Sequence, residues 1–101
     1  MDKTSVSWLV INAIADDYED VSTILADISP WALEKRIVFD RERVIEALIS
    51  LVRSGLASAY TIPTVGPPIK IKVVDASDIG EGTYFVTTQA GRSVVLSSDT
   101  L

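Results

Sequence analysis

The stretch from Asp40 to Leu56 constrains the fold of this chain more than any other. It holds an acidic residue, fourteen residues of helical periodicity, then Gly55. Val44, Ala47, Leu48, Leu51 and Val52 fall on one stripe, widened by Ile45 and Ile49. Glu42, Arg43, Glu46, Ser50, Arg53 and Ser54 fall on the opposite face. Such a pattern is an amphipathic helix with one side in a core. Asp40 is suited to accept hydrogen bonds from the free N–H groups of the first turn, and Gly55 to take the left-handed conformation that closes the last one. Leu56 to Ile62 follows at once and reads as a strand.

The length of 101 residues suits a single domain, 1–101, with a modest core and no staples. Cysteine and histidine are both absent, which excludes disulfides, thiolate nucleophiles, zinc fingers and the usual general base. An acid–base pair would need two carboxylates or a lysine in a pocket, and no such pair stands out, so no catalytic residue, cofactor or metal is assigned and the chain is not read as an enzyme. The apolar run Trp8 to Ala15 is broken by Asn12 and lacks a basic flank and cleavage site. It is far short of the roughly 20 residues that span a bilayer. A soluble, cytoplasmic protein is expected.

Before the long helix, Thr4 or Ser5 is placed to cap a helix from about Val6 to Asp16. Val6, Leu9, Val10, Ala13 and Ile14 form one apolar face, and Trp8, Ile11 and Ala15 a second. Two apolar faces imply burial on two sides. The wing, the C-terminal segment or another subunit are the candidates to cover that second face, and a homodimer through Trp8, Ile11 and Ala15 is the expectation, since a lone domain of this size has little cover to spare. After the acidic loop Asp16–Asp20, Asp20 is the expected cap of a second helix, with Val21, Ile24, Leu25 and Ile28 inward. Ser29-Pro30 predicts a restart, serine as cap and proline at the first helical position, with a short helix through Lys35. Ile37-Val38-Phe39 reads as a brief strand or an extended connector that buries Phe39.

Beyond Ile62, Pro63, Gly66, Pro67 and Pro68 predict a turn. Ile69 to Val73 alternates strictly, a half-buried strand with Lys70 and Lys72 on its wet face. Asp75 to Gly82 reads as a polar loop, Thr83 to Thr87 as a third strand, and Thr88 as the cap of a last helix through Leu96, with a frayed tail after Ser97. Leu48, Leu51, Val52, Leu9, Ile14, Leu25 and Phe39 are the expected core.

The order of elements, with "LVRSGLASAY" leading later into "YFVTTQAGR", resembles the winged helix-turn-helix superfamily as it occurs in small bacterial and archaeal regulators. The resemblance implies an α+β fold: a three-helix core, a small antiparallel sheet forming a wing, and a short C-terminal helix. Two segments are longer than that pattern needs: Pro30 to Phe39 between the second and long helices, and the wing from Pro63 to Gly82. It also implies that the long helix enters the major groove of double-stranded DNA with its N-terminal residues against base edges. Carried onto this chain, Arg41 and Arg43 would read bases, with Ser50 deeper in the groove. Lys35 and Arg36 ahead of the helix, and Lys70 and Lys72 on the wing, would hold phosphates.

Charge pulls the other way. The net charge is −5, and residues 1–33 hold six acids against Lys3 alone. Residues 34–54 hold five bases against four acids, so the balance turns positive only where the reading helix would lie. DNA binding draws most of its free energy from phosphate neutralisation, and Glu42 and Glu46 share the exposed face with Arg43. The sequence thus leaves two readings: a small DNA-binding transcriptional regulator, or a protein-interaction module on the same scaffold. The acidic run Asp16–Asp20 contains no glycine and no closing glutamate at calcium-loop spacing. Gly80-Glu81-Gly82 lacks the helix and lysine of a phosphate loop.

Overall fold

The computed structural model describes residues 2–99, with side chains through Leu96. Along them run α1 (Val6–Ala13), β1 (Glu19–Asp20), α2 (Val21–Lys35), α3 (Arg41–Arg53), β2 (Ala57–Thr61), β3 (Ile69–Ile71), β4 (Thr83–Thr87) and α4 (Gln89–Asp99), with one 3-10 turn at Ala76–Asp78. The architecture is α+β: four helices and one antiparallel sheet of strand order β1-β4-β2-β3. Tyr60 pairs with Tyr84 on one side and Lys70 on the other, and β1 adds Asp20 opposite Tyr84.

Each long helix carries its own stop and start. The Asp40 carboxylate accepts from the Arg43 N–H at 2.9 Å, and Ser5 and Asp20 do the same for α1 and α2 through Trp8 and Thr23. These bonds satisfy donors that a helix's first turn leaves free. At the far end of α3, Gly55 lies at φ +74 while the Leu56 N–H donates to the Leu51 carbonyl, a closure that needs a left-handed residue. The last strand and helix are stitched to that turn and to α1. The Thr87 N–H and hydroxyl donate to the Ile14 and Ala15 carbonyls, and the Thr88 hydroxyl donates to the Gly55 carbonyl at 2.6 Å. A Cβ on Gly91 would lie 2.0 Å from the Leu56 carbonyl oxygen, so the approach of α4 to this turn requires glycine.

The elements depart from the sequence expectation in five places. Helix α1 ends at Ala13, not Asp16. Helix α2 runs without a break through Pro30. The proline removes only the bond to the Ala26 carbonyl, and because Ala26 and Pro30 are both exposed, water can take that acceptor. The Ile37–Phe39 segment is no departure: of its two expected forms it takes the connector, with no strand and Phe39 half-buried. Glu19 and Asp20, read as loop, make the short strand β1 against β4. Strand β3 stops at Ile71, after which the chain leaves the sheet. Helix α4 reaches Asp99 as backbone, and the remainder of the tail lies outside the described residues.

The core gathers Leu9, Val10, Ile11 and Ile14 with Val21, Ile24 and Ile28 of α2, Val44, Leu48 and Leu51 of α3, and Phe85 from the sheet. Leu9, Ile14, Leu48 and Leu51 are buried as expected, whereas Leu25, Phe39 and Val52 are half-buried against its rim. Phe85 is the largest fully buried side chain. Its place follows from alternation in β4, where Thr83, Phe85 and Thr87 point inward and Tyr84 and Val86 outward.

Candidate functional site

Helix α3 turns Val44, Ala47, Leu48 and Leu51 into the core and leaves Arg41, Glu42, Arg43, Glu46, Ser50 and Arg53 exposed. At its start the face is open. Arg36, Arg41 and Arg43 form no side-chain hydrogen bond or ion pair among the described residues. Glu42 and Glu46 stand on the same face, so the cations are interleaved with acid rather than clustered alone.

Four of the predicted phosphate- and base-contacting residues meet in one place. Lys35 and Arg36 at the end of α2, and Arg43 and Ser50 on α3, line an open crevice of about 640 Å³ whose opposite wall is the start of α1. Thr4, Ser5 and Ser7 contribute that wall and Glu46 its one carboxylate. The wall hydroxyls carry no local signal in the sequence, where Thr4 and Ser5 read as helix caps and nothing in their spacing relates them to Lys35. Arg36 is held in position by backbone geometry. It sits at φ 58, the only described non-glycine residue with positive φ, while the Ile37 N–H donates to the Ala32 carbonyl at 2.8 Å. A left-handed arginine here turns the chain from α2 toward Asp40 and presents its side chain beside Lys35.

The second half of the α3 face is occupied. After Ile71 the chain folds back beside the helix: Val73 is buried, and Arg53 donates through Nη2 to the Val74 carbonyl at 3.1 Å. Val74, Asp75 and Ala76 then form one wall of a groove whose other wall is Glu46, Ile49, Ser50 and Arg53. The fold-back is tied internally. Asp78 accepts from the Val74 and Asp75 N–H groups at 2.8 and 3.2 Å, and Asp75 caps Ser77 in return. The two N–H groups, Val74 first, hold the Asp78 carboxyl below the usual carboxylate range, with Lys72 adding to the effect. Asp75 thus brings acid to the helix face that carries Ser50.

Lys70 and Lys72 are both exposed. Lys70 belongs to β3, the free edge of the sheet, and Lys72 follows where the chain peels away. They do not join the Lys35–Arg36–Arg43 crevice. Of the expected dimer face, Ile11 requires correction: it is 0 % exposed in the single chain and belongs to the core. Helix α4 packs against α1 and sets Val94 and Val95 against that core, cover that a helical wheel of α1 alone does not reveal. Trp8 and Ala15 are half-buried. Trp8 stacks under the Lys35 ammonium, 5.0 Å from its ring centroid, and shares a small cleft with Trp31.

In the acidic run, Asp20 caps α2 and the Asp17 carboxylate accepts from the Tyr18 N–H, so two of its carboxylates serve the backbone. The Asp20 carboxyl is held low by the Thr23 N–H. Burial pushes the Glu19 carboxyl up, helped by repulsion from Asp27, Asp17 and Asp20. Among the described residues no group of three or more Asp, Glu, His or Cys is placed to hold a metal ion, and no helix is long and apolar enough to cross a membrane. No protein-family model matches the chain, and no curated protein or solved structure matches it either.

Proposed function

We propose that the chain is a winged-helix-like protein that binds double-stranded DNA, acting as a small transcriptional regulator. In this reading α1, α2 and α3 are the three-helix core, α3 is the reading helix, and β2 to β4 with their long insertion are the wing. The strand order supports it: β1, which follows α1, pairs with the last strand and ties the sheet to the helices. The observation that carries the reading is the meeting of Lys35, Arg36 and Arg43 in one crevice at the start of α3. Lys35 and Arg36 would hold a phosphate there, with the hydroxyls of Thr4 and Ser7 as further donors. Arg41 and Arg43 would reach base edges, where a guanidinium fork matches two guanine acceptors in one plane.

A gel-shift series over duplexes of random and genomic sequence tests this. Replacing Arg41 and Arg43 together by alanine should remove sequence preference. Replacing Lys35 and Arg36 should weaken binding to all sequences alike and flatten its salt dependence. Absence of any retained duplex at about 50 mM salt, where phosphate contacts are strong, would overturn the DNA reading. A second reading, a protein-interaction module, is favoured by the fold-back of Val73–Asp78. It narrows the free α3 face and lines it with Asp75 and Glu46, groups that repel phosphate but suit a basic protein surface.

A further inference from the structure

The outward face of the sheet carries a row of four residues in register. Asp20 lies opposite Tyr84, Tyr84 opposite Tyr60, and Tyr60 opposite Lys70, so one residue comes from each strand. The neighbouring row, with Phe85, Ala59 and Ile71, faces the core, and alternation therefore sends the first row outward. Tyr18 joins this outward face through an edge-to-face contact with Tyr60, ring centroids 5.1 Å apart. Three tyrosines thus share a face with Val86, with a carboxylate at one end and an exposed lysine at the other. Tyrosine, with tryptophan and arginine, is enriched among the residues that carry most of the energy of protein interfaces, because it buries a large area and keeps a polar tip.

We infer that this face docks against the same face of a second copy of the chain, forming a symmetric dimer. The argument is charge complementarity. A two-fold axis running along the strand direction, midway between Tyr84 and Tyr60, lays the Asp20 end of one row over the Lys70 end of the other. Tyr60 then faces the second copy's Tyr84. The ordinary face-to-face spacing of sheets, about 10 Å, leaves room for tyrosines to interdigitate. An axis across the strands would instead set lysine over lysine. Joining the sheets edge to edge through β3, about its middle residue, fails for the same reason, since Lys70 would meet its own copy, and like charges on paired strands repel. A two-fold axis repeats every contact, so the Asp20–Lys70 complement is formed twice. The dimer leaves the crevice at the start of α3 uncovered, and its existence does not depend on DNA binding.

Sedimentation equilibrium over micromolar to submillimolar concentration should report twice the chain mass of 10.9 kDa. Lys70→Glu, an exposed substitution, should raise the dimer dissociation constant roughly tenfold or more, because two attractive pairs become repulsive. Tyr84→Lys should give a monomer, with circular dichroism showing that the fold is retained. Carbodiimide treatment of the parent should yield a covalent dimer joining Lys70 to Asp20 or the adjacent Asp17. A single-chain mass at every concentration would overturn the proposal, as would a dimer indifferent to both substitutions. A monomer whose tyrosine fluorescence is quenched by an oligothymidylate would overturn it in favour of nucleic acid on this face.

Discussion

The two ends of α3 present the same sequence pattern and have different surroundings. The first turns carry Arg41, Glu42 and Arg43 in the open, beside a crevice that Lys35 and Arg36 also line. The last turns carry Ser50 and Arg53 against a fold-back that Val73 anchors and Arg53 fastens. A helical wheel assigns one polar face to both. The difference teaches that a polar face is free only where no later segment of the chain returns to it. In this molecule a ligand has open access to α3 from its first turn as far as Ser50, which lines both the crevice and the fold-back groove.

The largest expected effect comes from removing what both ends share. Leu48 is fully buried beneath the middle of α3, and Leu48→Ala should cost about 2–5 kcal/mol by chemical denaturation. That is a large part of the roughly 5–15 kcal/mol available to a domain, so both ends should loosen together. A smaller effect should separate them. Val73→Ala should cost about 1–2 kcal/mol from lost apolar burial, and the Val74 and Asp75 amides should exchange hydrogen faster while the Arg43 amide, bonded to Asp40, does not. Equal acceleration at both sites would show that the two ends form one unit.

Arg36→Gly should sharpen the comparison from the other side. A left-handed non-glycine residue costs about 1–2 kcal/mol, part of which glycine returns through its freer unfolded chain. The variant should therefore melt higher, by about 0.5–1 kcal/mol of added stability, while losing a crevice cation and weakening DNA binding. A variant that melts lower would mean that the arginine side chain stabilises the turn through contacts of its own.

The smallest effects are pH-dependent and of opposite sign. Glu19 has its folded-state carboxyl raised by burial and by its acidic neighbours, so its ionised form disfavours the fold at neutral pH. Glu19→Gln should be more stable than the parent near neutrality, the gain fading as pH falls through the raised value and below the unfolded one. Asp78 is held low by the Val74 and Asp75 N–H groups, and its contribution is present above the unfolded value and lost in acid. Asp78→Asn should weaken the fold-back at neutral pH and cost nothing once the parent's carboxyl is protonated. Thermal melts across pH on both variants check the two signs.

Much of this architecture is legible along the chain. The caps at Ser5, Asp20 and Asp40 and the closure at Gly55 are local events between neighbours in sequence, and they stand where the residue types predict. Strand β4 is legible from its alternation, though Phe85 as the centre of the core is not, because alternation identifies two faces without saying which is inward. The candidate cations Lys35, Arg36 and Arg43 are legible as exposed charges on helix ends. Their convergence is not, since the distance between the end of α2 and the start of α1 depends on how the helices pack. Strand β1 was hidden because two acidic residues have no strand propensity, and only the edge of β4 recruits them.

The sequence by itself determined the long helix α3 with its cap and closing turn, the starts of α1 and α2, the alternation of β4, the acidic balance and the absence of histidine and cysteine chemistry, all properties of residue type and short spacing. Tertiary structure alone decided that Ile11 is core rather than surface, because α4, far along the chain, returns to pack against α1. It alone decided that the fold-back from Val73 to Asp78 shares the α3 face, and that Asp20, Tyr84, Tyr60 and Lys70 stand in one row. The physical reason is common to all three: each is a contact between segments distant along the chain, set by burial of one continuous core, and no local propensity encodes it.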